Sequence, residues 1–564
     1  MADTFTMAIA QIDPTVGDLS GNAARILASW EEAARIHADL LMTPELSLCG
    51  YPPEDLILKR AFRQACRSEL DRLARALAAA DEGPALAVGL PWEEDGRVFN
   101  AVVVLDGGEI VAVVRKRELP NYGVFDEKRV FIADEGQAQP VAVRGVRVGL
   151  MICEDMWFAR VPGELAGNGA EFLVAVNASP FEIDKHAERE RVIAERVRET
   201  GLALAFVNQV GGQDEVLFDG ASFVMNPNGG IPLRLPAFRE HFALAVWERA
   251  EAGGVTRHCL AGDRIAWDEQ EPAIYQALML GLKDYVAKNR FPGVILGLSG
   301  GIDSALTAAI ATDALGPENV WTVMLPSPWT SKESIEDAAE VARRLGVRHD
   351  VVPISGAMEA VGGALAPLFD ELPPSEAEEN IQARLRGLLL MALSNKFGDM
   401  VLACGNKSEF SVGYATLYGD MSGGFTPLKD VYKTMVYRLA RWRNAHRPPG
   451  GLGPEEAPIP ERVLEKPPSA ELKPGQTDQD TLPAYEILDD ILHGLIEEAL
   501  GFDEIVARGH DPKVVARVER MLYAAEYKRR QAPPGIKITR KSFTRDRRYP
   551  ITNAFRSARE VSLR

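Results

Sequence analysis

From residue 7 onward, short apolar runs alternate with longer stretches in which apolar positions recur every three or four residues. Continuous or alternating apolar runs bounded by turn residues read as strands, and the three-to-four spacing reads as amphipathic helix. MAIAQI (7–12), LLMTPEL (40–46) and ALAVGL (85–90) are therefore expected as strands, with helices near 22–38 and 54–79. The rhythm continues through AVVVLD, a hairpin-like Gly107-Gly108 turn, RVGLMIC (147–153), FLVAVNAS (172–179), a charged helix near 184–200 and LALAFVNQV (202–210). Strands this apolar are buried in sheets covered by helices, which makes the class α/β.

Around 249–272 the pattern weakens into ERAEAGGVTRHCLAGDRIAWDEQEP, and a second α/β unit follows. Its expected parts are a helix over 273–289, the strand VILGLS (294–299), the turn SGGIDS and an Ala-rich helix over 303–315. The expected organisation is a domain over 1–250, a linker over 251–272 and a second domain over 273–564. The proline-dense stretch 447–475 reads as an irregular excursion.

At 564 residues the chain is long enough for two large cores, and 46% hydrophobic with 26% charged residues is a globular composition. A formal net charge of −18 opposes binding to a phosphate backbone, so nucleic acid is not an expected partner. The five cysteines are scattered and form no C-x-x-C pair, which argues against a disulfide framework or zinc site and for a reducing cytoplasm. The start MADTFTMAIAQID lacks a basic segment followed by an apolar one, and no apolar run reaches the roughly 18 residues of a membrane span. No membrane association is expected.

Three polar residues stand where apolar runs stop: Glu45 after LLMTP, Lys116 after IVAVVR and Cys153 after RVGLMI. A thiolate attacks an amide readily, a carboxylate can take the thiol proton, and an ammonium can stabilise the oxyanion. Singly, a cysteine ending a strand is ordinarily core, and a lone Lys or Glu is ordinarily surface. Together, TPELSLCGYPPED (43–55), KRELPNYGVFDE (116–127) and MICEDMW (151–157) resemble, in order, the catalytic segments of the nitrilase or carbon–nitrogen hydrolase superfamily. The resemblance implies an α-β-β-α sandwich with Glu45 as general base, Lys116 supporting the tetrahedral intermediate, Cys153 forming a thioester and Glu127 orienting the site. Tyr122, Ser179 and Lys185 match positions that hold glutamine in the glutaminase branch, where a cationic Lys185 can pair with the α-carboxylate.

In the second half, GLSGGIDS (297–304) lies between an expected strand and helix, so its glycines permit close backbone approach and the helix start favours phosphate. It is not a Walker loop, lacking G-x-x-x-x-G-K-[ST], but it matches the SGGxDS loop of ATP pyrophosphatases. The stretches MLPSPWTSKESIEDAAEVARRLGV (324–347), ENIQARLRGLLLMALSNKFG (379–398), GNKSEFSVGYATLYGDMSGGFTPLKDVYKT (405–434), KPPSAELKPGQTDQDTLPAYEILD (466–489) and EYKRRQAPPGIKIT (526–539) resemble the glutamine-dependent NAD+ synthetase family.

That resemblance implies a doubly wound parallel-sheet ATP-pyrophosphatase domain that adenylates the carboxylate of deamido-NAD+, after which ammonia from glutamine displaces AMP. By motif match, Gly297, Leu298, Ser299, Gly300, Gly301, Ile302, Asp303 and Ser304 contact ATP, as does Cys404 through its backbone. Asn380, Glu409 and Lys528 contact deamido-NAD+, and Glu409 and Asp420 lie at positions resembling Mg2+ ligands. A homo-oligomer with an internal ammonia path is also implied. Two alternatives stay open. One is an amidotransferase that uses the same loop on another acid, and the other is a binding protein on a dead hydrolase fold; intact Glu45, Lys116, Cys153 and SGGIDS count against the second.

Overall fold

The computed structural model describes residues 4–80, 82–249, 255–268, 270–370 and 372–557. The chain separates into two compact units, Met1–Glu269 and Gln270–Arg564.

The first unit is built on two sheets. One has seven strands in the edge-to-edge order Val255–Cys259, His241–Arg249, Thr4–Gln11, Leu40–Met42, Ala85–Glu94, Arg97–Asp106 and Glu109–Arg115. The other runs Leu233–Arg234, Phe223–Met225, Leu204–Asn208, Phe172–Asn177, Val146–Ile152 and Val141–Val143. Successive side chains of a strand point to opposite faces, and the chain uses both. Met7 and Ile9 join Leu150, Ile152, Val174 and Val176 in a core between the sheets, while Ala8 and Ala10 join Ile26, Trp30, Leu70 and Leu73 beneath the helices Leu19–Arg35 and Arg60–Ala78. The outer face of the second sheet packs on Val161 and Leu165 of helix Arg160–Gly167 and on Ile193 and Val197 of helix Lys185–Thr200. The result is the expected helix–sheet–sheet–helix sandwich.

The Gly107-Gly108 turn joins Arg97–Asp106 to Glu109–Arg115 with φ of +56° and +86°, values that two glycines reach without strain. Several boundaries differ from expectation: the helix expected over 54–79 is a 3-10 turn, Glu54–Leu58, followed by helix Arg60–Ala78, and the strand expected over 294–299 ends at Gly297. The strand expected over 40–46 ends at Met42, because the chain turns with Leu46 at φ +45°. Gly89 of the neighbouring strand permits that turn, since a Cβ there would lie 2.3 Å from the Leu46 nitrogen. The 202–210 run divides into Leu204–Asn208 and Val210–Gln213, the second pairing with Val216–Asp219 in a separate two-stranded ribbon. The 251–272 stretch is not a plain linker: Val255–Cys259 extends the seven-stranded sheet, and Trp267 Nε1 donates to the Leu235 carbonyl at 2.7 Å. Residues 250–254 and 269 lie outside the described residues.

The second unit holds a parallel sheet in the order Arg348–Val351, Val320–Met324, Val294–Gly297, Met400–Leu402. Its first strand is flanked by its second and its last, so the winding direction reverses between Val294–Gly297 and Met400–Leu402. In open parallel sheets the crevice beyond the carboxyl ends of strands at such a reversal is where ligands bind. The Ala-rich helix Ile302–Leu315 is buried almost throughout, and Leu390 and Leu393 of helix Glu376–Phe397 pack with Ile295, Trp321, Val323 and Val401. A helical subassembly around Leu488, Ile491, Leu492, Val515, Val518 and Leu522 completes the unit. Helix Ser355–Phe369 carries four alanines and two leucines yet no fully buried residue, and it touches the core through Met358. No helix among the described residues is long and apolar enough to cross a membrane.

Candidate active sites

In the first unit the expected residues converge on one ammonium. Lys116 directly follows strand Glu109–Arg115, and its Nζ donates to Glu45 Oε1 at 2.6 Å and to Glu127 Oε1 at 2.8 Å. Lys116 and Glu45 are fully buried and Glu127 nearly so. Burial opposes the Lys116 charge, but Glu127 and Glu45 outweigh it and hold its pKa well above the usual lysine value. Burial pushes the Glu127 carboxyl up to about 7, with Lys116 opposing. Glu45 is fixed further by Asn100 Nδ2 at 2.7 Å on Oε1 and by the Ala178 N–H at 3.0 Å on Oε2. Tyr51 donates to Glu127 Oε1 at 2.8 Å, and Glu127 Oε2 is buried with no hydrogen-bond partner among the described residues.

Cys153 opens a short 3-10 helix at the end of Val146–Ile152, with φ +46°. Non-glycine residues in that region are strained and gather at functional sites. Asp155 holds the turn: its carboxylate accepts the N–H groups of Ile152 (3.0 Å), Arg117 (2.9 Å) and Glu118 (2.8 Å), tying the cysteine turn to the Lys116 segment. Burial pushes the Cys153 thiol well above its ordinary pKa, reinforced by Glu45 and opposed by Lys116. A thiol raised in this way acts as a nucleophile only where a neighbouring base can take its proton.

The three expected glutamine contacts are placed differently. Exposed Tyr122 donates to both oxygens of Glu154 at 3.0 and 3.1 Å, next in the chain to Cys153. Ser179 is buried one residue beyond Ala178. Lys185 starts helix Lys185–Thr200, pairs with Glu188 at 2.8 Å and lies 4.7 Å above the Trp157 ring. Glu154, Asp155, Tyr51 and Asn100 were not singled out from sequence. The two acids after Cys153 were visible in MICEDMW, whereas Tyr51 and Asn100 reach the site through tertiary packing alone.

In the second unit a cavity of about 570 Å3 opens at the sheet's reversal point. It is lined by every expected residue of that half, from Gly297 through Ser304 together with Asn380, Cys404, Glu409, Asp420 and Lys528. Gly300 has φ +80°, and a Cβ there would lie 2.3 Å from the Ser334 carbonyl oxygen, so only glycine fits. Ser304 closes the loop on itself: its hydroxyl accepts the Ser299 N–H at 3.2 Å and donates to the Gly301 carbonyl at 3.0 Å. Backbone N–H groups at the start of the 14-residue helix Ile302–Leu315 are then available to an anion. Cys404 Sγ contacts the Gly297 carbonyl at 4.0 Å from the strand across the reversal, and burial pushes its thiol up to about 12.

Buried Lys433 bridges Asp303 (2.5 Å) and Glu409 (3.1 Å), and Asn406 Nδ2 donates to Asp303 Oδ1 at 2.8 Å. Burial raises Glu409 to about 8 against the opposing field of Lys433. Thr416 connects Asn380, whose Oδ1 accepts its hydroxyl at 2.8 Å, with Asp420, whose Oδ1 accepts its N–H at 2.7 Å. Lys528 Nζ donates to the Gly413 and Ala415 carbonyls at 2.8 and 2.7 Å, leaving one ammonium proton for a ligand. Thr416, Lys433, Lys466, Glu471 and Asp478 also line the cavity; they fall in the stretches 405–434 and 466–489 that carry the family resemblance, but none was assigned a role from sequence. Asn406 had a signal, as N-x-x-E before an apolar run is a helix-capping pattern, and Asn406 does cap Lys407–Val412. Among the described residues no group of three or more His, Cys, Asp or Glu is arranged to hold a metal.

Comparison with known proteins places both units in described families. The carbon–nitrogen hydrolase family model matches residues 6–254 and the NAD synthase model residues 274–532. A glutamine-dependent NAD(+) synthetase of Rhodobacter capsulatus is 48% identical over 557 residues, covering 99% of this chain and 100% of that protein. One of Xanthomonas campestris pv. campestris is 47% identical over 563 residues, covering 98% of each. The solved structure of glutamine-dependent NAD+ synthetase from Acinetobacter baumannii, in complex with ADP, is 42% identical and covers 98% of this chain and 100% of its own, with a TM-score of 0.77. With a carbon–nitrogen hydrolase unit and an NAD synthase unit joined along its whole length, the chain belongs to the glutamine-dependent NAD+ synthetase family.

Proposed function

We propose that the chain converts deamido-NAD+ to NAD+ with ATP, using ammonia that it releases from glutamine. In the first unit Glu45 takes the Cys153 proton, and the thiolate adds to the glutamine amide carbon. Lys116 stabilises the oxyanion, the nitrogen leaves as ammonia carrying the proton, and water hydrolyses the thioester to glutamate. Glu127 and Asn100 hold Lys116 and Glu45 in register; Tyr122, Ser179 and Lys185 bind the amino-acid portion.

In the second unit the Gly297–Ser304 loop receives the ATP phosphates. A carboxylate oxygen of deamido-NAD+ attacks the α-phosphorus and pyrophosphate leaves; ammonia then attacks the acyl carbon and AMP leaves. Asn380, Glu409 and Lys528 contact deamido-NAD+. Glu409 and Asp420 both line the cleft and would supply carboxylate oxygens to an Mg2+ ion held mainly by the ATP phosphates. The ion neutralises phosphate charge when bound.

The observation that best supports the reading is the coupling, in one chain, of a buried Glu45–Lys116–Glu127 centre beside Cys153 with an SGGIDS loop at the reversal of a parallel sheet. The relative solved with ADP supports nucleotide binding. A homo-oligomer is part of the proposal, supported by the unburied helix Ser355–Phe369 and by exposed Leu368, Leu372, Leu388 and Phe397. Five free cysteines support a reducing, cytoplasmic setting.

The test supplies ATP, Mg2+ and glutamine with deamido-NAD+, xanthylate or aspartate. NAD+, AMP and pyrophosphate in equal amounts are expected. ADP and phosphate, or amidation of another acid in place of deamido-NAD+, overturn the proposal.

A further inference from the structure

Ser179 is held on every side. Its N–H donates to Asn208 Oδ1 at 2.9 Å, and its carbonyl accepts from Asn208 Nδ2 at 3.1 Å and from Arg189 Nη2 at 2.8 Å. Its hydroxyl oxygen accepts from Arg189 Nε at 3.1 Å. Arg189 is 1% exposed and uses its whole guanidinium. Besides these contacts, Nη2 donates to the Pro180 carbonyl at 2.8 Å and Nη1 to both oxygens of Asp219 at 2.9 and 2.8 Å. Asp219 is itself fixed by Asn208 Nδ2 at 3.3 Å and by His186 Nε2 at 2.5 Å.

A guanidinium can only donate. Ser179 Oγ is therefore the acceptor in its contact with Arg189, and the hydroxyl hydrogen is directed elsewhere. No acceptor for that hydrogen is found among the described residues. One residue earlier, the Ala178 N–H donates to Glu45. The same short segment thus holds the base on one side and presents a single O–H donor on the other.

We propose that Arg189 is a positioning residue for glutamine, locking Ser179 as a hydrogen-bond donor to the substrate's α-carboxylate. The inference rests on the glutaminase reading above. Glutamine offers two acceptor groups: its amide oxygen belongs to the Cys153 and Lys116 side, which leaves the α-carboxylate for the Ser179 hydroxyl and the Lys185 ammonium. Arg189 touches no substrate and acts by removing the alternative orientation of Ser179. Lysine at this position keeps the charge but cannot span Ser179 Oγ, two carbonyls and a carboxylate at once.

The experiment measures steady-state glutamine hydrolysis and NAD+ synthesis by the full chain with glutamine or ammonium chloride. Arg189→Lys is expected to raise the glutamine KM tenfold or more, with kcat changed less than about threefold and ammonia-dependent synthesis unaltered. Ser179→Ala raises the same KM, and the double variant is no worse than the poorer single one by more than about twofold, because both act through one hydroxyl. A general loosening of the unit would instead lower kcat and multiply in the double variant, and that result overturns the proposal. Asp219→Asn, which loosens the guanidinium from its far side, is expected to raise KM about threefold or more and serves if Arg189→Lys does not fold. An unchanged glutamine KM in either folded variant overturns the proposal. Failure of the underlying reading looks different: wild type then hydrolyses no glutamine, or Cys153→Ala still does.

Discussion

Replacing Gly300 by alanine tests the phosphate loop at the point where the structure gives a definite displacement. The new Cβ would sit 2.3 Å from the Ser334 oxygen, 2.9 Å from its carbonyl carbon and 3.0 Å from its Cα, all backbone atoms. Ordinary contact begins at 3.4 Å, so the loop or the start of helix Lys332–Leu345 must move by about 1.1 Å (3.4 minus 2.3). At φ +80° the alanine adds about 1–2 kcal/mol of left-handed strain. A misplacement of about 1 Å at reacting groups costs on the order of 100-fold in rate, or about 2.7 kcal/mol of barrier. Gly300→Ala is therefore expected to lower NAD+ synthesis at least ~100-fold. Assaying with ammonium chloride removes any dependence on the first unit. Gly356→Ala is the control: it lies outside the cleft in helix Ser355–Phe369, its Cβ would meet nothing within 4 Å, and a loss under about threefold is expected. If Gly300→Ala keeps more than a tenth of wild-type activity, or if the two variants lose activity equally, the steric argument for this loop is wrong.

Asp303→Asn removes one of the two carboxylates that neutralise buried Lys433 and is expected to cut synthesis ~100-fold or more with either nitrogen source, while glutamine hydrolysis at Cys153 persists; near-normal synthesis refutes this role. Burial raises Glu127 from 4.5 to about 7, so the folded state binds its proton more tightly than the unfolded state, and the resulting destabilisation is absent below about pH 4.5, grows through pH 5 to 7 and is complete above 7. Thermal unfolding of Glu127→Gln should therefore decline less than wild type across that window, and parallel pH dependences would contradict the assignment.

What the sequence made legible follows from the range of the forces involved. Glu45, Lys116 and Cys153 stand at or just beyond strand ends, where an apolar run stopping on a polar residue is a local signal, and the SGGIDS turn carries its own glycine geometry. The strand order that makes the loop a ligand site was not legible locally: the doubly wound sheet came only as what the family resemblance implies, and the order depends on Met400–Leu402 returning to pair with Val294–Gly297. Asn100, Tyr51, Lys433 and Arg189 were not legible. Each sits inside an ordinary strand, loop or helix and reaches a partner far along the chain: Asp219 is 30 positions from Arg189, Glu45 55 from Asn100, Glu127 76 from Tyr51 and Asp303 130 from Lys433. The apparent linker misled for a related reason: VTRHC carries only a weak apolar pattern because it is an edge strand, stabilised by pairing with His241–Arg249. The 466–478 segment looked irregular and is so, yet its lack of regular structure is what lets Lys466, Glu471 and Asp478 line the cleft.

The division of labour between the two units is tested most directly by Cys153→Ala assayed with each nitrogen source. Only glutamine requires the thioester, whereas ammonia can attack the adenylate without it. At pH 8 to 9, several per cent or more of added ammonium is neutral NH3 on the basis of an amine-like pKa, enough to drive the second unit alone. The account predicts that glutamine-dependent NAD+ synthesis falls by several orders of magnitude while ammonia-dependent synthesis stays near wild type, with Cys49→Ala and Cys66→Ala as controls for general thiol loss. Retained glutamine use in the Cys153 variant, or loss of ammonia use in a folded variant, contradicts it.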